Sequence, residues 1–343
     1  MPVVDLRSDT LTMPTDEMRR AMADAELGDD VFGEDPTVNR FQERAAAAVG
    51  KEAGLFVASG TMGNLLGILA QVPAGRELIA DSESHVFLYE GAGTATLGGI
   101  QVRPLATERG VMSGAQVQAA FRPPHDYHQP LTGGVTIENT HNRHGGVAWP
   151  LSAVHEVADA AHEHGVPVHM DGARIFNAAL AAGATPAEVA APCDTVTFCV
   201  SKGLGAPVGS VLCGPADVID RAARWRKMVG GGWREAGVLA AAGVLALEKG
   251  IDHLAADHAN ARTLAEGLSE LPGIQIDLDR VQSNLVIFHL TSMRAEQFLA
   301  ECGARGLKGG GGNGRVRFVT RYGITAADIQ RALEICAGVL GAE

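Results

Sequence analysis

Between about residues 50 and 215, apolar strand patterns alternate with helical ones. This predicts an α/β fold with a mainly parallel sheet and helices on both faces. Two of these strands, residues 166–171 and 195–200, are β-branched and apolar and stop abruptly at polar residues. Parallel strands behave this way where they reach a ligand crevice at their carboxyl ends. After Arg221 the pattern changes to two long helices (235–249 and 254–271) and three short strands (273–276, 285–290 and 316–320), with a helix at 294–305. A smaller α+β unit is expected there. The expected division is an N-terminal arm with a large α/β domain over 1–245 and a small domain over 246–343.

In chain order, residues 5–12 form a polar arm, and Thr15 caps a helix over 16–25. Residues 28–37 make a long acidic loop, which compact folds rarely keep without reason. An amphipathic helix over 38–49 follows. A strand over 52–58 leads into Ser59-Gly60-Thr61-Met62-Gly63-Asn64 and a helix over 65–71. That turn reads either as a plain Ser cap or as an anion site on unpaired N–H groups. Strand 78–81 releases His85, either an ordinary loop residue or a ring able to stack on a flat cofactor. Residues 123–128, with His125 and His128, make a loop able to cover the crevice. Strand 135–137 ends in the polar run 138–146, which is costly after a buried strand unless it lines a site. A helix over 152–164 leads into strand 166–171. A helical crossover near 185–191 then puts that strand and strand 195–200 side by side. Strand 208–213 closes the series. The basic run 224–234 holds Lys227 and Arg234 and reads either as a solvated face or as a phosphate contact, within the chain or across a subunit boundary. Residues 309–314 are glycine-rich and expected to form a flexible turn or lid.

Composition narrows the function. The chain has 343 residues, 46% of them hydrophobic and only 20% charged, which excludes disorder. A net charge of −12 argues against nucleic acid or an acidic membrane as partner. Five scattered cysteines without a C-x-x-C fit a reducing compartment, with neither disulfide framework nor metal site. Residues 1–5 show no signal-peptide pattern. The longest apolar run, 236–247, is too short for a bilayer and reads as a buried or interface helix. A cytoplasmic enzyme is expected.

The chemistry rests on two strand ends. Lys202 follows one strand and precedes the turn 203–209, and Asp171 ends the other. A lone lysine is usually a solvated surface group. A lysine and an acid on one sheet edge, however, match what pyridoxal 5'-phosphate needs, a Schiff-base amine and a partner for the pyridinium nitrogen.

Six motifs in order, residues 5–10, 28–37, 59–64, 138–142, 169–174 and 201–209, resemble the L-threonine aldolase family. These are pyridoxal-phosphate enzymes of the aspartate-aminotransferase fold (fold type I), with a seven-stranded large-domain sheet. The resemblance implies that Lys202 carries the cofactor, Asp171 faces its ring nitrogen, His85 stacks on the ring, and Gly60 and Thr61 hold the phosphate. It also implies that Lys227 and Arg234 lie near the phosphate, from a neighbouring subunit of a homodimer or homotetramer. Ser8, Arg174 and Arg317 would grip the substrate carboxylate, and His128 would sit near the β-hydroxyl. Phe32, Trp233 and Arg321 depart from the family pattern and leave the substrate less defined. The implied activity is cleavage of L-threonine, L-allo-threonine or related L-β-hydroxy-α-amino acids to glycine and an aldehyde. His85 or His128 would be the base. A transaldolase, β-eliminating lyase or transaminase on the same scaffold is the alternative, and a non-catalytic protein keeping the fold is a third.

Overall fold

The computed structural model describes residues 3–312 and 314–341. Met1 and Pro2 of the segment read for a targeting signal, and Asn313 of the glycine run, lie outside the described residues. The strands are β1 (Val4–Asp5), β2 (Ala53–Val57), β3 (Glu77–Asp81), β4 (Gln101–Leu105), β5 (Thr132–Glu138), β6 (Val168–Asp171), β7 (Thr195–Cys199) and β8 (Ser210–Gly214), then β9 (Ile274–Gln275), β10 (Leu285–Leu290), β11 (Leu307–Lys308), β12 (Gly310–Gly312) and β13 (Arg315–Val319).

Seven of them form one sheet in the order β2-β8-β7-β6-β5-β3-β4. Only β8 runs against the rest. The carboxyl ends of β2, β3, β5, β6 and β7 therefore share one edge, as expected from the alternation. Central strands β3, β5, β6 and β7 are buried at every position, which their continuous apolar runs require. Edge strand β4 was not foreseen. It is short, half-exposed and carries Pro104, which an edge tolerates because one side of its ladder faces no partner.

A second, antiparallel sheet has the order β12-β13-β10-β9. Helices Leu254–Ser269, Ala295–Ala304 and Ala326–Leu340 pack on it around Phe288, Phe298 and Phe318. Val4 and Leu6 join this core, because β1 pairs in parallel with β11, Val4 opposite Leu307. The last helix escaped the sequence reading, although Thr325 and Asp328 form a full capping box at its start.

Several boundaries moved for local reasons. The helix expected from residue 65 begins at Gly60, because Ser59 caps it by accepting from Met62 N. The crossover between β6 and β7 contains helix Ile175–Ala182 as well as Pro186–Ala190. The glycine run is no loose lid: Gly310–Gly312 pair with Arg315–Arg317 as a strand. The apolar helix, Gly237–Lys249, buries Ala240, Ala242 and Ala246 inside this chain. Its Gly243 lies against the Phe41 ring, where a Cβ would come within 2.5 Å.

The acidic loop and the basic run explain each other. Asp30 pairs with Arg226 at 2.8 Å, both buried, and Asp29 with Arg234 at 2.8 Å. Asp35 is fully buried and accepts four backbone N–H groups. Thr37 and Val38 open helix Pro36–Ala48, Gly237 opens the apolar helix, and the fourth is Gly28. One carboxylate thus caps two helices that are far apart in sequence. Among the described residues, no helix is long and apolar enough to cross a membrane.

Candidate active site

A cavity of about 460 Å³ opens on the carboxyl edge of the large sheet. Ser8, Gly60, Thr61, His85, Asp171, Arg174, Lys202 and Arg317 all line it. Residues from both sheets and from the N-terminal arm therefore meet at one place.

Lys202 follows β7 and is half-buried, and its Nζ has no hydrogen-bond partner among the described residues. The backbone returns through Gly209, at φ 104°, pressed against Phe56 where a Cβ would lie 2.4 Å from the ring. Only glycine fits that approach. Asp171 is 3% exposed. Its Oδ1 accepts from Ala173 N at 3.0 Å, and its Oδ2 accepts from Asn64 Nδ2 at 2.8 Å.

Asn64 belongs to a buried polar chain. Gln71 Nε2 donates to Thr195 Oγ1, which pairs with His169 Nδ1 at 2.8 Å, and His169 Nε2 pairs with Asn64 Oδ1 at 3.1 Å. With the Asn64 amide committed as donor to Asp171, His169 Nε2 carries the proton. Burial pushes the imidazole down to about 4, so it stays neutral and keeps that orientation. His169 and Asp171, two apart on β6, face the same helix, Gly60–Leu69. Gly67 of that helix admits the ring, since a Cβ there would lie 2.8 Å from it.

His85 stands at the start of a short helix. Its backbone N donates to Glu138 Oε2 at 2.6 Å, while Glu138 Oε1 accepts from Asn142 N at 2.8 Å. One buried carboxylate at the end of β5 thereby fixes two loops over the cavity. The His85 Nδ1 lies 2.8 Å from Glu90 Oε1. This hydrogen bond raises the imidazole from its ordinary value against the effect of burial, and the Asp171 charge adds to it. Burial, with the Asp171 charge, raises the Glu90 carboxyl. Sequence reasoning missed Glu90. Its signal was an acid placed directly after the apolar stretch that follows His85.

Arg174 is fixed by Asp9 through Nε at 2.6 Å and Nη2 at 2.8 Å. Burial alone would raise the Asp9 carboxyl. The Arg174 charge and hydrogen bonds reverse that and hold it well below the carboxylate range. Arg317 donates only to neutral oxygens, Asn142 Oδ1 at 3.2 Å and the Arg7 carbonyl at 3.1 Å. Burial and the Arg174 charge lower it from its ordinary value. Ser8 caps the turn Asp9–Leu11 and faces the cavity.

Three expectations do not come together here. His128 lies on an exposed loop, its Nδ1 3.0 Å from Asp126 and its ring stacked on Tyr127. Asp126 and Tyr127 hold it on that surface, outside the cavity lining. Lys227 and Arg234 are exposed and also outside it, Arg234 being drawn to Asp29. Of the atypical residues, Phe32 is 72% exposed, Trp233 packs edge-on against Phe56 at 4.7 Å, and Arg321 donates to the Tyr322 carbonyl.

The arrangement fits pyridoxal 5'-phosphate. At Gly60 and Thr61 the helix starts with N–H groups that have no intrahelical acceptor, on the cavity wall, where an anion would complete them. The Lys202 amine, without a hydrogen bond among the described residues, and the fixed Asp171 carboxylate share the same cavity.

The family model described as beta-eliminating lyase matches residues 5–291. A low-specificity L-threonine aldolase of Arabidopsis thaliana is 40% identical over 342 residues, covering 97% of this chain and 95% of its own. A low specificity L-threonine aldolase of Escherichia coli is 45% identical over 269 residues, 78% of this chain and 80% of its own. Among solved structures, a threonine aldolase of Leishmania major superposes with a TM-score of 0.81 at 19% identity, over 98% of this chain and 99% of its own. A serine palmitoyltransferase of Sphingomonas wittichii does so at 0.78 and 19%, over 99% and 88%. These two likenesses establish the fold, the aspartate-aminotransferase type.

Proposed function

We propose that this chain, which belongs to the beta-eliminating lyase family and within it to the L-threonine aldolases, cleaves L-threonine, L-allo-threonine and related L-β-hydroxy-α-amino acids to glycine and an aldehyde. The observation that carries this reading is the joint lining of one cavity by Lys202, Asp171, His85 and the arginines Arg174 and Arg317. Pyridoxal 5'-phosphate, when bound, supplies an aldehyde for an amine to join and a conjugated ring that accepts an electron pair from Cα.

The protein's part is attachment, orientation and proton transfer. Lys202 would carry the cofactor and Asp171 would hold the proton on its ring nitrogen. The buried chain from Gln71 to Asn64 keeps that carboxylate aimed. Gly60 and Thr61 would receive the phosphate on their N–H groups. Ser8, Arg174 and Arg317 would bind the substrate α-carboxylate, Arg174 with the Nη1 that Asp9 leaves free. That grip would orient the Cα–Cβ bond for cleavage. His85, held by Glu90, would take the β-hydroxyl proton and stack on the ring. The proposal keeps a division near residues 245 and 246, supported by the separate core around Phe288, Phe298 and Phe318. It also keeps His128 near the substrate β-hydroxyl, a homodimer or homotetramer that brings Lys227 and Arg234 of a neighbour to the phosphate, and a cytoplasmic location.

Purified protein loaded with cofactor should release glycine from L-threonine or L-allo-threonine. Lys202→Ala should no longer be covalently labelled by cofactor on borohydride reduction. Labelling of that variant, or no glycine from any L-β-hydroxy amino acid, would overturn the reading.

A further inference from the structure

A side cavity of about 420 Å³ adjoins the one described above, with His85, Asn142 and Arg317 in both walls. Two more arginines, Arg143 and Arg315, line it, and no carboxylate among the described residues does. The three guanidinium groups are not equally satisfied. Arg143 donates to Glu83 from Nε at 3.1 Å and Nη2 at 2.8 Å, and to Tyr89 Oη at 2.6 Å. Arg315 makes a single side-chain hydrogen bond, to the Arg143 carbonyl at 2.9 Å. Burial, and the Arg143 charge beside it, lower this guanidinium from its ordinary value. Arg317 likewise donates to no carboxylate among the described residues.

Glu83 and Asp9 act on Arg315 and Arg317 only at a distance, and neither arginine donates to a carboxylate among the described residues. Two such cations in a partly desolvated recess are costly, and an incoming anion would relieve that cost. The substrate α-carboxylate answers Arg317. Nothing in the reaction as described answers Arg315. The two arginines alternate on β13, so both project from one face of the strand, about 7 Å apart at the backbone. His85, the group assigned to the β-hydroxyl, lines both cavities. A substrate held by its α-carboxylate, with Cβ at His85, therefore directs its β-substituent into the side cavity towards Arg315.

We propose that Arg315, supported by Arg143, forms an anion subsite that selects β-hydroxy-α-amino acids bearing a second acidic group on the β-substituent. The proposal rests on the aldolase reading and names a substrate class for it. The simplest member is L-3-hydroxyaspartate. In its cleavage the Cα–Cβ bond breaks, its electron pair stays with Cα, which gains a proton, and the β-hydroxyl loses a proton as C=O forms. The products are glycine and glyoxylate, with no oxidant or reductant required.

The test compares the cofactor-loaded protein with Arg315→Leu and Arg315→Lys on L-threonine, L-phenylserine and L-3-hydroxyaspartate. The wild type should cleave the dicarboxylate with a kcat/KM at least equal to that for L-threonine. Arg315→Leu should lose about tenfold or more on the dicarboxylate, the scale of one charge-assisted contact, and under twofold on threonine and phenylserine. Arg315→Lys should recover part of the loss. Equal losses on all three substrates would overturn the subsite, as would a wild type that cleaves threonine but not the dicarboxylate. So would an Arg315→Leu protein whose oligomeric mass changes while its preference does not, because a neighbour's acid would then be the partner of Arg315. Calorimetric titration with succinate and with butyrate reads the subsite without turnover. Succinate should bind the wild type more tightly, and Arg315→Leu should abolish the difference. If none of the three substrates is cleaved, the aldolase reading fails, and the succinate comparison alone decides whether the subsite exists.

Discussion

Asp257 gives a prediction whose sign and size follow from its surroundings. It sits on helix Leu254–Ser269 at 2% exposure, and its Oδ2 has no hydrogen-bond partner. Burial first, and then the Asp9 charge, raise its carboxyl from 3.8 to about 7, with Arg321 opposing. A folded-state value above the unfolded one means that the folded chain keeps a proton the unfolded chain has already released. The stability this supplies is complete below about pH 4 and is lost as pH rises through about 7. Replacing the acid with a neutral isostere, Asp257→Asn, removes the dependence. The variant should match the wild type near pH 4. It should then gain on it by about 1.4 kcal/mol per pH unit, reaching a plateau of about 4 kcal/mol above pH 7. His169 and His258, both held near 4 by burial, favour the folded state as pH rises, but they remain in both proteins and cancel in the difference. Urea unfolding of the two proteins at several values between pH 4.5 and 8.5 measures it. A difference independent of pH, or one that shrinks at high pH, would refute the account of this site.

Replacing His85 with phenylalanine should keep ring stacking but lower threonine cleavage at least tenfold, while Cα-proton exchange on glycine, which involves no hydroxyl, falls far less. Parallel losses in the two assays would remove His85 as the base. Asp35→Ala leaves four backbone N–H groups to find other acceptors and should cost about 2–4 kcal/mol in unfolding free energy. A loss under about 0.5 kcal/mol would show that its double capping is not structural.

The strand ends were readable because buried parallel strands have a local signature, and a polar residue that stops such a run has few places to be. Lys202 and Asp171 therefore reach the cavity that the alternation implied, and Ser8, Gly60, Thr61, His85, Arg174 and Arg317, whose roles the family resemblance supplied, line it as well. Their supports were not readable. Asp9 and Arg174, and Asn64 and Asp171, meet across elements far apart in the chain, and no local periodicity encodes such pairs. The basic run is a second case: Asp29 and Asp30 of the acidic loop take up Arg234 and Arg226, pairs that the composition of neither segment reveals by itself. His128 follows two prolines, Pro123 and Pro124, in a surface loop whose course nothing in its own sequence determines.

The pairing of β1 with β11 bears on how the chain is assembled during synthesis. Leu6 N donates to the Lys308 carbonyl, and Val319 N donates to that of Leu6. The arm is thus docked by partners made much later in synthesis. Closing so long a loop is slow compared with local helix or hairpin formation. A ribosome-bound chain stopped before residue 307 would have all seven strands of the large sheet, with Lys202 and Asp171 on its edge, but no docking site for the arm that carries Ser8 and Asp9. Arg174 would then wait without its buried counter-charge. The carboxylate-binding wall would be the last part of the crevice to assemble, after the cofactor-facing wall is already in place.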